Sequence, residues 1–479
     1  MSAAPPLPPG LVAFVKRECP TCQLVAPVLA RLAGETELTV FTQDDPVFPG
    51  GTHIVDDRSL EYSWHHAIET VPTLLRVRDG EIVGRAIGWQ RDEWEALTGV
   101  GGLGTELPAW RPGCGSLSVD PDRQAELQVR FAGSRLRARR VELARLEDEH
   151  EAIFARGWTD GLPVVPPTEE RVLAMLAGST RAPDEVVATV APDLVECTVE
   201  KVAINAVMAG CKPEYFPVVL AAVEAACNEA FNIHGVLATT MPVGPVIVVN
   251  GPIRHAIGMN SGINVFGQGS RANLTIGRAL QLVVRNVGGG RPGEVDRATF
   301  GNPGKIAFCF AEDEENSPWP PLAADFGARP GTDAVVLFTG EGPRSIVDQQ
   351  ARDPESLART LAANLRTLHH PKLVMVFDCL LAIGPEHARV FREAGWSKPA
   401  LLGRLHELLQ VPGHELVRGA GGMAEGVPES LASATLPKFR PNGLRLVHCG
   451  GRAGLFSMMI GGWASGALGS EPVMKEIRP

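Results

Sequence analysis

"VAFVKRECPTCQLVAPVLARLAG", residues 12–34, decides how the front of this chain is read. "LVAFV" has the length and composition of a short buried strand, and two cysteines three positions apart, Cys19 and Cys22, follow it. Beyond them Leu24, Val25, Val28, Leu29 and Leu32 recur at helical spacing. A strand that runs into a helix across Cys-X-X-Cys places the first cysteine at the helix N-terminus. Unpaired N–H groups and the positive end of the dipole favour thiolate there. The second cysteine, one turn on, is positioned to resolve a mixed disulfide formed at the first. Zinc is the other use of paired cysteines, but no further ligands stand nearby at matching spacing, so no metal is expected.

Working outward, "ELTVFTQ" (37–43) reads as a second strand and "DRSLEYSWHHAIE" (57–69) as a helix. "VPTLLRVR" (71–78), the turn "DG" and "EIVGRAIGW" (81–89) make a hairpin, and "RDEWEALTG" (91–99) a closing helix. On CPTC at 19–22, Pro27 and "VPT" at 71–73, residues 10–99 resemble the thioredoxin and glutaredoxin superfamily. The resemblance implies that Cys19 attacks, that Cys22 resolves, and that Pro72 is cis beside the disulfide, leaving backbone groups free to hold a partner's sulfur. It implies no cofactor beyond the dithiol itself, which an external thiol reductant or reductase would recharge. The chain departs from thioredoxins at Glu18, where they carry tryptophan, and at Ala13, where they bury a carboxylate. Glu18 is expected to raise the pKa of Cys19, against the helix dipole.

At 479 residues the chain is too long for one ordinary core. A net charge of −10 argues against a nucleic-acid surface. No apolar run of about 18 residues offers a membrane span. "MSAAPPLPPGLVAF" lacks the basic and apolar segments of a signal peptide, so a cytoplasmic protein is expected. Nine cysteines in such a chain do not suggest a disulfide framework. The expected fold class is α/β: a thioredoxin-like domain over 1–100, a Gly/Pro-rich and charged helical connector over 101–156, and a large α/β catalytic domain over 157–479, with room for a subdivision near 330. In the connector, Cys114 reads as an incidental thiol. Leu127, Val129, Phe131, Leu136, Val141, Leu143 and Leu146 suggest one or two helices.

"GWTDGLPVVPPT" (157–168), "TVEKVAINAVMAGC" (198–211) and "NGPIRHAIGMNSGINVFGQGSRANLTIGRAL" (250–280) resemble an uncharacterised bacterial family, which brings no reaction with it. Three constellations carry chemistry here. In "INVFGQGSRANLTIGRALQLVVRN" (263–286) a Gly-rich turn enters a helix opened by Arg271 and Asn273, with Arg278 two turns on. With Arg254 as a partner, this reads as a receptor for a small anionic substrate. The alternative is that the glycines only permit tight packing. Cys211, in "VMAGCKPEYFPVV", stands beside Lys212 at what reads as a helix end. There a lysine favours thiolate and the helix dipole opposes it. In "LRLVHCGGRAGLFSMMIGGW" (444–463), His448 and Cys449 end a strand and glycines lead towards a helix near Ala453, a place suited to a nucleophile. Glu312, Glu315 and Asn316, in "AEDEENSPW", are candidate acid–base groups.

Two readings follow. In the first, the large domain performs a thiol-dependent reduction or carbon–heteroatom cleavage, and the tethered CPTC domain reduces its cysteine. In the second, the large domain is a redox-independent lyase or hydrolase, and the front domain serves for assembly or sensing. A homodimer is expected in either case.

Overall fold

Five strands build the first sheet, the central ones buried along nearly their whole length and the edge ones largely exposed. They are β1 (Gly10–Val15), β2 (Leu38–Thr42), β3 (His53–Asp56), β5 (Thr73–Arg78) and β6 (Glu81–Ile87), with the two-residue β4 (Thr70–Val71) preceding β5. The strand order is β3-β2-β1-β5-β6, with β1, β2 and β3 parallel and β5 and β6 antiparallel. Helix α1 (Pro20–Glu35) connects β1 to β2; α2 (Glu61–His65) and α3 (Arg91–Thr98) complete the set. Asp79 and Gly80 both have positive φ, the conformation that a two-residue hairpin requires. Strand β3 escapes the sequence pattern because it is only half-buried. Val25, Leu29 and Leu32 of α1 pack with Phe14, Phe41, Trp89 and Trp94 in one core.

The computed structural model describes residues 4–127, 130–131, 136–139, 141, 143, 147–466 and 468–478. The chain divides into two units, Met1–Arg135 and Leu136–Pro479, so the stretch read as a connector is shared between them. Its first part is built into the first unit. Leu103 is fully buried, Trp89 Nε1 donates to the Pro108 carbonyl at 2.6 Å, and the Arg91 guanidinium donates to the carbonyls of Leu103, Gly104 and Leu107. Two-residue strands at Trp110–Arg111 and Cys114–Gly115 pair with Trp89–Gln90 and β4. Helices occur at Pro121–Leu127 and Glu149–Ala155, while Val129 and Leu146 lie outside the described residues.

The second unit is built on eight strands: β7 (Gly244–Asn250), β8 (Cys309–Ala311), β9 (Ala334–Gly340), β10 (Arg344–Val347), β11 (Phe377–Ile383), β12 (Leu444–His448), β13 (Phe456–Ala464) and β14 (Val473–Glu476). They form two half-sheets of the same plan, β8-β7-β9-β14 and β12-β11-β13-β10, joined at the Gly340–Gly462 pair. Each half has one parallel pair, β7 with β8 and β11 with β12, and two antiparallel neighbours. Each takes its last strand from the chain segment that follows the other half. Both leading strands run into Gly-Pro and a short helix, at "NGPIRHAI" (250–257) and "IGPEHARV" (383–390).

Burial divides the faces of these half-sheets. Val246, Val248, Val336 and Phe338 of one share a core with Leu380, Ala382, Val447 and Ile460 of the other. The opposite face of the first half packs against α4 (Val199–Ala209), α5 (Phe216–Ala226) and α6 (Arg271–Asn286). The opposite face of the second packs against α7 (Pro354–Arg366), α8 (Pro385–Glu393) and α9 (Lys398–Leu408). The result is four layers, helix–sheet–sheet–helix, an α/β architecture with mixed sheets. Helix α5, "FPVVLAAVEAA", is apolar all round because it is buried along nearly its whole length.

One expectation is corrected. No helix begins near Ala453; after Gly450 and Gly454, both at positive φ, the chain enters β13 between β9 and β11. Partners on both sides of β13 override the helix-like reading of "GGRAGL".

Candidate dithiol centre

Cys19 is the N-cap of α1, with extended backbone at φ −87° and ψ 116°, and Pro20 opens the helix. Proline suits that position because its missing N–H would be unpaired anyway. The Cys19 sulfur accepts the Cys22 N–H at 3.3 Å and contacts the Val71 carbonyl at 3.4 Å, donating to it when protonated. Neither cysteine is exposed to solvent. Hydrogen bonding from the Cys22 thiol, against the opposing effect of burial, brings the Cys19 pKa down to about 5. The Cys114 thiol and the N–H groups of Cys22 and Thr21 add to this. Cys22 moves far upward, because it is deeply buried and its proton is shared with Cys19. The pair thus keeps one proton at neutral pH, with the charge on Cys19.

Glu18 does not reverse this. It is exposed, its N–H is held by Asp44 at 2.9 Å, and water screens its carboxylate. Ala13 is fully buried in the core of the first unit. Pro27 lies inside α1, and the Val71–Pro72 peptide is cis.

Where the structure departs from the resemblance is in the backbone beside Pro72. Val71 is not free: it pairs antiparallel with Cys114, and Thr70 with Gly115. This covering segment is fixed at both ends. Thr21 Oγ1 donates to the Pro112 carbonyl at 2.7 Å and Lys16 Nζ to the Gly115 carbonyl at 2.8 Å. Buried Gln43 bonds Ser116 Oγ at 2.6 Å and accepts the Leu117 N–H at 3.0 Å. Cys114, half-buried, is the one thiol of the three with solvent exposure. Sequence reasoning passed over it; the only local signal is that glycines flank it on both sides.

The larger unit treats its cysteines differently. Cys211 follows Gly210, which ends α4 in the left-handed conformation, and burial pushes its thiol up to about 12 against Thr275 and Arg271. Cys449 is buried and raised further, by burial and then by Glu312 and Asp313. Both are neutral thiols in this conformation.

The four residues read as an anion receptor are not brought together. Arg254 is buried and taken by the carbonyls of Gly251 (2.8 Å) and Glu312 (2.6 Å) and by Glu315 (2.9 Å). Asn273 pins the loop at Asn260 through both ends of its amide, at 3.0 and 2.9 Å. Arg278 forms a two-pronged pair with Asp160, both contacts 2.7 Å. Arg271 alone faces an open cleft of about 590 Å³, together with Lys212, Tyr215 and Gln268. Arg254 and Arg278 are thus oriented by internal acceptors and not towards the cleft.

The acidic run after β8 does converge on one place. Buried Glu312 accepts from Asn250 Nδ2 (2.7 Å), Leu322 N–H (2.7 Å) and His448 N–H (3.3 Å). Burial outweighs those donors and holds its pKa at about 7. Glu315 is drawn down to about 2 by Arg254, with His255 assisting against partial burial. His448 Nδ1 lies 2.9 Å from the Ile383 carbonyl, and its Nε2 is buried with no partner among the described residues. Asn316 is bound to Asp313 at 2.9 Å. Among the described residues no group of three or more His, Cys, Asp or Glu is arranged to hold a metal, and no helix is long and apolar enough to cross a membrane.

No protein-family profile matches the chain, and no solved structure matches it. The chain is 29% identical over 84 residues to a thioredoxin H-type of Ricinus communis, a match covering 17% of this chain and 62% of that protein. The chain therefore spans less than two-thirds of that relative's length. Nothing comparable supports the bacterial-family resemblance of the larger unit. Strand order, the cis proline, the helix-capping Cys19 and this likeness agree on one statement: the N-terminal region is thioredoxin-like.

Proposed function

We propose that the chain is a thiol–disulfide-coupled oxidoreductase. The dithiol of the first unit supplies electrons to a thiol-dependent reduction, or a reductive carbon–heteroatom cleavage, carried out by the second. The observation that carries this reading is the Cys19 sulfur at the N-cap of α1, accepting the Cys22 N–H at 3.3 Å one helical turn from the second thiol, a setting that lowers the pKa of Cys19 and raises that of Cys22. Cys19 attacks a disulfide or other sulfur adduct left by turnover, Cys22 displaces the product from it, and an outside thiol reductant restores the pair. Placing both units on one chain raises their effective mutual concentration to roughly millimolar. Arg271 and Lys212, on their cleft, favour a small anionic substrate. Cys211 and Cys449, as neutral buried thiols, require a turnover-dependent rearrangement before either serves as acceptor. A homodimer remains part of the proposal.

A second reading has its own support. Glu312, titrating near neutrality where two strands end, has the property of a general acid–base, and a redox-independent lyase or hydrolase would use it. The first unit would then serve for assembly or sensing. The test is turnover-coupled trapping in a Cys22→Ser full-length chain, with peptide mapping of whatever Cys19 captures. Capture of a second-unit cysteine supports the oxidoreductase. In parallel, dithiothreitol-driven reduction of insulin should be lost in Cys19→Ser. An unchanged rate in that variant would contradict the proposal.

A further inference from the structure

We propose that Cys114 is a third redox-active thiol of this centre, forming a Cys19–Cys114 disulfide that competes with Cys19–Cys22. The inference rests on the reading of Cys19 as an exchanging thiol and adds a residue that the resemblance does not supply. Cys114 sits directly opposite Val71 in the antiparallel pair, and the Val71 carbonyl is the group the Cys19 sulfur touches at 3.4 Å. That register puts Cys114 beside the backbone group on which the Cys19 sulfur rests, and each thiol shifts the other's titration. The placement is built: Thr21, between the two cysteines, and Lys16, just before them, hold Pro112 and Gly115 on either side of Cys114. Gly113 is required for it, because a Cβ there would lie 2.4 Å from Thr70 Cγ2 and 2.7 Å from the Val71 carbonyl oxygen.

The exchange balances without an outside oxidant. Starting from the Cys19–Cys22 disulfide, the Cys114 thiolate attacks Cys19 Sγ. The Cys114–Cys19 bond forms, the Cys19–Cys22 bond breaks, and its electron pair leaves on Cys22 Sγ. Cys22 takes up the proton that Cys114 gave up, so nothing is oxidised or reduced overall. The oxidised centre now ends at the one sulfur of the three that reaches solvent. An outside thiolate attacks Cys114 and releases Cys19, whose low pKa makes it a good leaving group.

The experiment uses full-length wild type, Cys22→Ser and Cys114→Ser. Each is reduced, oxidised with diamide, blocked with N-ethylmaleimide and mapped by peptide mass. The expected result is a Cys19–Cys114 peptide in Cys22→Ser, a Cys19–Cys22 peptide in Cys114→Ser, and both in wild type. The inference is overturned if Cys114 is fully maleimide-labelled in Cys22→Ser while Cys114→Ser still forms Cys19–Cys22; the dithiol reading then survives alone. Loss of the bridge in both variants overturns both readings. Should Cys22→Ser fail to fold, wild type in a graded glutathione buffer decides, because absence of the Cys19–Cys114 peptide at every ratio counts against the proposal.

Discussion

Cys19 and Cys211 are both buried cysteines at helix ends, and they have opposite chemistry. Cys19 opens α1, where N–H groups and two neighbouring thiols point at its sulfur and bring its pKa to about 5. Cys211 follows the C-terminus of α4, where carbonyls end the helix and burial takes the thiol to about 12. At Cys19 the Cys22 thiol and the helix-opening N–H groups outweigh burial, whereas at Cys211, past a helix C-terminus, nothing does. The contrast extends to the units around them. Around Cys19, hydrogen-bond donors converge on a sulfur, whereas Arg254 and Arg278 of the second unit are engaged by Glu315 and Asp160. A Cys-Lys or Gly-Arg juxtaposition in sequence therefore says little about reactivity until the partners are known.

The largest expected effect breaks this contrast directly. Cys19→Ser should abolish disulfide exchange by the full-length chain, because a hydroxyl has no thiolate form at neutral pH. Cys211→Ser should leave dithiothreitol-driven insulin reduction unchanged. Equal losses would erase the distinction.

Next comes the acid cluster of the second unit. Glu312 keeps its proton up to about pH 7 when folded, against an ordinary 4.5. Its native state therefore binds a proton that the unfolded state has lost. Its contribution is full below about pH 4.5 and declines as pH rises through 7, by up to about 3 kcal/mol. Urea unfolding of the second unit across this range should show that decline. Glu312→Ala should remove the slope and cost about 2–4 kcal/mol at pH 5, since three buried donors lose their acceptor.

Arg278→Ala should cost about 2 kcal/mol in the same unfolding transition, by leaving half-buried Asp160 unpaired. It should leave exchange at Cys19 intact, and a loss of exchange would show that the second unit's ion pairs govern the first. The smallest effect sharpens the local account. Glu18→Gln should keep the Cys19 thiolate midpoint within about half a pH unit of wild type, because an exposed charge contributes little.

Much of the first unit was legible in the sequence. Short apolar strand runs, the DG turn and the Cys-X-X-Cys spacing are local signals, and each element they mark is present; the half-buried β3 carries no such mark. In the second unit the strand ending at His448 and the helix opened by Arg271 were legible, but the strand order and several other elements were not. The exchange of β10 and β14 between half-sheets is a long-range choice with no local mark. The strand after Cys449 was missed because its pairing partners, β9 and β11, lie far away in sequence. The same limit applies to the site. Asp160 lies 118 residues before Arg278, which it holds, and Cys114 lies 92 residues after Cys22 and was read as incidental. Motif reading finds residues that act with near neighbours; it misses those delivered by tertiary pairing.

The central claim is that Cys19 is a thiolate at physiological pH because the Cys22 thiol, and after it the N–H groups that open α1, stabilise its charge. Ultraviolet thiolate absorbance of the reduced chain, titrated against pH and compared with Cys19→Ser, measures this directly. A step with its midpoint near pH 5, absent from the variant, is the predicted result. A first rise only at about pH 8.5, where an ordinary thiol ionises, would contradict it.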